Sequence, residues 1–206
     1  MTQHDWPVQV TDWTPGDDLR PVTPLVLVVD VDGESPYLGG LVVADGVPSL
    51  DAVRSGVADL VTAFRGKGVP VVFVEQTGQP APGRPAELDA RPDEYVIRRH
   101  RFSSFYGTEL DLVLRGLGAR TVLLVGGASD VQVHYSAVDA HQYDYHIRVA
   151  TDLVTGSGPE RHDAALRAIK YLQRDALISS QAVRDWLDTL APATESATLD
   201  TTRENA

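Results

Sequence analysis

The strongest constraint on this chain is an alternation. Six short runs rich in β-branched residues recur along it: Leu25 to Val31, Val69 to Glu75, Tyr95 to Arg98, Thr121 to Val125, His146 to Ala150 and Ala176 to Ile178. Segments with helical periodicity separate most of them. Strands joined through a helix cannot pair as hairpins, so each crossover returns the next strand parallel to the last and lays its helix on a face of the sheet. The runs are almost continuously apolar, as strands covered on both faces require. The expected fold is therefore α/β, a single three-layer α/β/α domain around a mostly parallel six-stranded sheet. The domain is expected over residues 1–190, and the polar, patternless segment 191–206 reads as a flexible C-terminal tail.

The helical segments carry their own signals. Ser49 caps a helix whose stripe is Leu50, Val53, Val57, Leu60, Val61 and Phe64, and Gly66 and Gly68 mark its end. Thr108 with Asp111 has the spacing of a capping box, opening a helix that buries Leu110, Val113, Leu114 and Leu117. The helix after Ser129 is apolar nearly all round (Val131, Val133, Ala137, Val138, Ala140), which predicts a central, buried position. Two more helices are expected from Pro159 to Gln173 and from Ser180 to Leu190. The connection from Thr77 to Asp93, with Pro80, Pro82, Pro85 and Pro92, is too long and too Pro-rich for a routine turn, and a lid and a plain surface excursion are both open for it.

Composition mainly excludes. Asp and Glu number 29 against 18 Lys and Arg, a formal charge of -11, which argues against nucleic acid or an anionic membrane as partner. No apolar run approaches the roughly 20 residues that span a bilayer, and the polar start MTQHDW is not a signal peptide, so a cytoplasmic protein is expected. Cysteine is absent, which removes disulfides, thiolate metal sites and thiol catalysis together. None of the six histidines falls in a metal-ligand spacing, and His134 reads as a structural residue, so neither metal nor cofactor is expected.

Two places carry chemistry. Asp30 closes the first strand at its carboxyl end, where doubly wound sheets gather ligand-binding groups, and the preceding LVLVV would partly desolvate it, raising its pKa toward proton transfer; on residue type alone, an Asp that merely caps the following loop is the simpler reading. The strand Thr121 to Val125 runs into Gly126-Gly127-Ala128-Ser129-Asp130-Val131-Gln132-Val133, a Gly-rich turn entering a helix. That arrangement exposes a side chain and backbone N–H groups together at a sheet edge. The side chain there is Gln132, whose amide is no nucleophile but hydrogen-bonds at both ends.

The run GGASDVQVHYSAVDA resembles the G-V-A-T-N-V-C-V-x-x-T-A-x-D-A signature of the isochorismatase-like (cysteine hydrolase) superfamily, with Gln132 where most members place the catalytic Cys. LVLVVDVD resembles the first strand ending in the catalytic Asp, and RHRFSSF resembles the K-x-R-Y-S-A-F segment, with Arg99 at the Lys position. The similarity extends from about Pro24 to about Leu187. It implies a site of Asp30, Arg99 and Gln132, and an oxyanion hole from the backbone N–H groups of Gln132 and Ala128, with a cis peptide between Gly127 and Ala128. Tyr37, Phe102, Phe105, Tyr106 and Tyr135 are the candidate aromatic walls of a substrate pocket, of which two or three are expected to face a ligand. Gln76 resembles a glutamine of the isochorismatase branch, whose members cleave a vinyl ether through an acid Asp without needing the Cys. The nicotinamidase branch's Asp-x-His-x-x-His metal run is replaced by Glu75-Gln76-Thr77-Gly78. Self-association as dimer to tetramer is also implied.

The Lys-to-Arg change cuts against acid catalysis, since a fixed cation lowers a neighbouring carboxyl pKa. Arg99 either locks Asp30 in an ion pair or offers its fork to an anionic substrate while Asp30 serves as a base. Three functional readings follow: a hydrolase-type enzyme on a small anionic metabolite, using Asp30 acid/base chemistry and a backbone oxyanion hole; a catalytically inactive member that binds a ligand or partner; or a non-hydrolytic isomerase or lyase.

Overall fold

The computed structural model describes residues 47–77 and 85–191 in full and the backbone of 25–30. Six strands form one sheet in the order β3-β2-β1-β4-β5-β6: β1 Leu25–Asp30, β2 Val71–Gln76, β3 Tyr95–Arg99, β4 Thr121–Gly126, β5 His146–Val154 and β6 Leu177–Ile178. Every pairing is parallel, and β1 lies between β2 and β4. The chain winds outward from β1 to β3 and then crosses to β4 on the other side, which puts the topological switch point between β1 and β4.

The helices are α1 Leu50–Gly66, α2 Leu110–Gly116, α3 His134–Gln142, α4 Pro159–Leu172 and α5 Ser180–Asp188. Side-chain alternation along the strands sorts them into two layers. Val71 and Phe73 of β2 and Leu123 and Val125 of β4 face α1 and α5, packing on Val57, Leu60, Phe64 and Val183. Val72, Val74, Val122 and Leu124 face the other way, onto Leu114 of α2, Ala137 of α3 and Leu166 of α4. Both faces are apolar, which is why the strands read as continuous runs.

Local signals hold unevenly. Ser49 Oγ accepts from the Ala52 N–H at 3.2 Å, and Gly68, at φ 66°, turns the chain out of α1 where a side chain would be strained. The capping box at Thr108 does not form. Thr108 Oγ1 accepts from the Leu110 N–H at 3.3 Å, but the Asp111 carboxylate is drawn away by Tyr145 Oη at 2.8 Å and Arg115 Nε at 3.1 Å. The helix after Ser129 is also less buried than its composition predicts: Ser136, Ala137 and Ala140 are buried, whereas Tyr135 is 51% exposed, because α3 lies in an outer layer with one face on the sheet. β5 continues four residues past its expected end, alongside a register shift between Leu124 and Gly126. Of the long Pro-rich connection, Ala86–Leu88 forms a short 3₁₀ turn. Residues 78–84 and the tail beyond 191 lie outside the described residues. No described helix is long and apolar enough to cross a membrane.

Candidate active site

Of the predicted site residues, Asp30, Gln76 and Arg99 end three adjacent strands, and Ala128 and Gln132 follow the end of the fourth, β4. Asp30 ends β1 in register with Gly126, the last residue of β4, and Gln76 ends β2 in register with Arg99, the last residue of β3. The Asp30 side chain and Tyr37 lie outside the described residues.

Arg99 is only 1% exposed although it carries a permanent charge. Its backbone carbonyl accepts from the Thr77 N–H at 3.1 Å and from Thr77 Oγ1 at 3.0 Å, which ties β3 to the end of β2. The guanidinium Nη1 donates to the Arg101 carbonyl at 3.1 Å and reaches Gln76 Oε1 at 3.5 Å, the outer limit of a hydrogen bond. Arg99 and Gln76 are thereby brought together.

On the other side of the switch point, β4 ends at Gly126 with φ 115°. The Gly127–Ala128 peptide is cis, where the resemblance implies it. A side chain at Gly127 would press on Thr155 Cγ2 at 2.5 Å, so glycine is required by close approach. Ala128 is extended, and residues Ser129–Val133 then make a π-helical turn closed by the Val133 N–H on the Ala128 carbonyl at 3.0 Å. Such turns are frequent at functional sites. Gln132 is buried within it, 1% exposed, and its Oε1 accepts from the Ala128 N–H at 2.7 Å. One donor of the implied oxyanion hole is thus engaged by the side chain that stands in the nucleophile's place.

A set of supporting residues escaped the sequence reading. Ser129 is fully buried; its N–H donates to the Thr155 carbonyl at 2.6 Å, and its Oγ lies 2.8 Å from His162 Nδ1 on α4. The Asp130 carboxylate accepts from the Ser157 N–H at 2.9 Å and from the Ser157 hydroxyl. Burial lowers the pKa of His162, against the opposing pull of Asp163 and Asp130. His134 is likewise lowered by burial, with Asp130 opposing. Nothing local announces these pairs, since 33 residues separate Ser129 from His162.

The aromatic candidates divide. Phe102 and Tyr135 meet, ring centroids 5.7 Å apart, while Tyr106 is 69% exposed. Phe105 belongs to the core, stacked on Tyr143 at 5.6 Å. The segment that carries them is pinned to α3: the Ser104 N–H donates to Ser136 Oγ at 2.9 Å, and Ser103 Oγ donates to Asp139 Oδ2 at 2.5 Å. Among the described residues no His, Asp or Glu cluster could hold a metal ion. A separate cavity of about 880 Å³ is lined by α1, Pro85, Glu87 and Arg184, and includes none of the predicted site residues.

A six-stranded parallel sheet with its crossover between β1 and β4 and helices on both faces defines the class by fold, a doubly wound α/β domain. The chain belongs to the isochorismatase family: the family model for the isochorismatase domain matches residues 27–182. It is 27% identical over 175 residues to the uncharacterized isochorismatase family protein YecD of Escherichia coli O157:H7, covering 74% of this chain and 90% of that one. It is 29% identical over 193 residues to the ureidoacrylate amidohydrolase RutB of Methylobacterium radiotolerans, covering 74% and 75%. Among solved structures, N-carbamoylsarcosine amidase from Thermoplasma acidophilum superposes with a TM-score of 0.60 at 26% identity, over 76% of this chain and 96% of that chain.

Proposed function

We propose that this member of the isochorismatase-like hydrolase superfamily acts on a small anionic metabolite by acid/base chemistry, without a covalent acyl intermediate. The observation that carries the reading is Arg99: a cation that cannot shed its proton, 1% exposed, at the carboxyl end of β3 beside Gln76. A buried cation is stable only against negative charge, and in this proposal the Asp30 carboxylate and an anionic ligand supply it. In this proposal Arg99 seats the ligand's carboxylate, Gln76 orients it, and Asp30 carries the proton. Phe102 and Tyr135 form part of the wall. Enol ethers of the isochorismate kind are the nearest substrate class, because their cleavage needs a proton carrier and water but no cysteine. RutB and N-carbamoylsarcosine amidase act on amides by their names, and the loss of the nucleophile sets this chain apart from that chemistry. Self-association and a cytoplasmic location belong to the same proposal.

The bond between Gln132 Oε1 and the Ala128 N–H favours a second reading, a binding protein or a non-hydrolytic enzyme, because it engages a group that acyl transfer would use. Asp30→Asn separates the readings. If Asp30 transfers a proton, the variant loses turnover of a vinyl-ether carboxylate with a small change in its melt. If Asp30 only neutralises Arg99, the variant loses roughly 3–5 kcal/mol of stability. That loss, together with no wild-type turnover of enol ethers, amides or esters, establishes the binding protein.

A further inference from the structure

The N–H of Ala128 lies in an unusual position. β4 has ended at Gly126, and the π-helical turn begins at Ser129, so this donor has neither a ladder partner nor a helical one. It is fully buried and cannot turn to water. Gln132 completes it: a side chain in a helical turn leans back toward the preceding turn, and a glutamine at this position is long enough to bring Oε1 to 2.7 Å from the nitrogen four residues earlier. No acceptor among the described residues stands against the other end of that amide, Nε2.

We propose that Gln132 is a specificity-determining residue that acts as a built-in carbonyl ligand. Its oxygen fills the seat at the Ala128 N–H, so the site rejects ligands that would place an amide or ester carbonyl there. Its Nε2 instead turns two donors toward whatever occupies the carboxyl edge, which selects oxygen acceptors such as a carboxylate. Tethering explains why the plug prevails. An acceptor carried on the same turn has no association entropy to lose, whereas a free carbonyl ligand must lose its own and also displace a formed hydrogen bond. The choice of a carboxylate rests on the function proposed above; the plugged seat does not.

The test follows the Ala128 amide by NMR in the full chain, with acetamide as a neutral carbonyl probe. In the wild type the Ala128 amide proton resonates downfield, exchanges slowly and does not move as acetamide is added. Gln132→Gly vacates the seat: the resonance moves upfield and returns on titration with acetamide, with an affinity at least about tenfold above any wild-type binding. Gln132→Met, which fills the space without an acceptor, loses the downfield shift and gains no acetamide binding. The proposal is overturned if acetamide shifts Ala128 in the wild type as readily as in Gln132→Gly, or if Gln132→Met leaves the shift and exchange rate of Ala128 unchanged. Should Gln132→Gly fail to fold, the comparison of wild type with Gln132→Met decides alone. None of these readouts involves turnover or an anion, so failure here is distinct from failure of the proposed function.

Discussion

The two segments that flank the carboxyl edge are built on opposite plans. The turn after β4, Gly126 to Val133, has its polar groups bonded one by one: Ala128 by Gln132 within the turn, Ser129 by Thr155 and His162, and Asp130 by Ser157. The segment after β3, Arg99 to Gly107, is anchored in its middle to α3, Ser103 on Asp139 and Ser104 on Ser136, and leaves Phe102 and Tyr106 at the surface. One segment is buried with its polar groups bonded, while the other is anchored by a few bonds and keeps two aromatic side chains at the surface. An irregular backbone that must hold one geometry needs tertiary partners for each exposed donor, whereas a surface that meets a ligand needs only an anchor.

The sharpest way to break the contrast is at His162. His162→Ala leaves a cavity and strips the fully buried Ser129 hydroxyl of its ring partner, with an expected loss of about 2–4 kcal/mol in urea unfolding. A loss below that of Ser136→Ala would abolish the distinction between the two segments. Ser136→Ala removes the acceptor of the buried Ser104 N–H and is expected to cost about 1–2 kcal/mol, read the same way.

Acid sharpens the comparison further, because the β4 side holds the histidines with depressed pKa values. His162 and His134 are neutral in the folded chain below the ordinary value of 6.5, while the unfolded chain takes up protons there. They therefore leave stability unchanged above pH 6.5 and erode it as pH falls through and below that value, by at most about 1.4 kcal/mol per pH unit for His162. Melts between about pH 7.5 and about pH 5 on the wild type and on His162→Gln should show a shallower acid slope in the variant, because glutamine does not titrate. The smallest effect belongs to the far tip of the other segment: Tyr106→Ala, at 69% exposure, should change stability by less than about 0.5 kcal/mol, and a larger loss would mean that the segment is packed as tightly as the turn.

Particular residues show what was legible beforehand. The strands were readable because both sheet faces are apolar, and α1 because Ser49 and Gly68 bound a clear stripe. Thr108 and Asp111 had the spacing of a capping box, yet Asp111 found Tyr145 and Arg115, partners supplied by the packing of α2. Apolar composition overstated the burial of α3, since Val131 and Val138 remain half-buried and Tyr135 is exposed. β5 runs on through Thr151 and Asp152, residue types that signal a turn when read alone.

By itself, then, the sequence determined the layer order, the parallel sheet, the family and the loss of the sulfur nucleophile, because all of these rest on residue type and on periodicities within one element. Tertiary structure decided which polar groups meet. Gln132 was legible as a replaced nucleophile, but its bond to the Ala128 N–H exists only because β4 releases that donor before the π-helical turn begins. The Ser129–His162 contact required α4 to pack beside that turn. A hydrogen bond is short in range and strict in direction, so its partners are fixed by where the packed elements bring them and leave no trace in spacing along the chain.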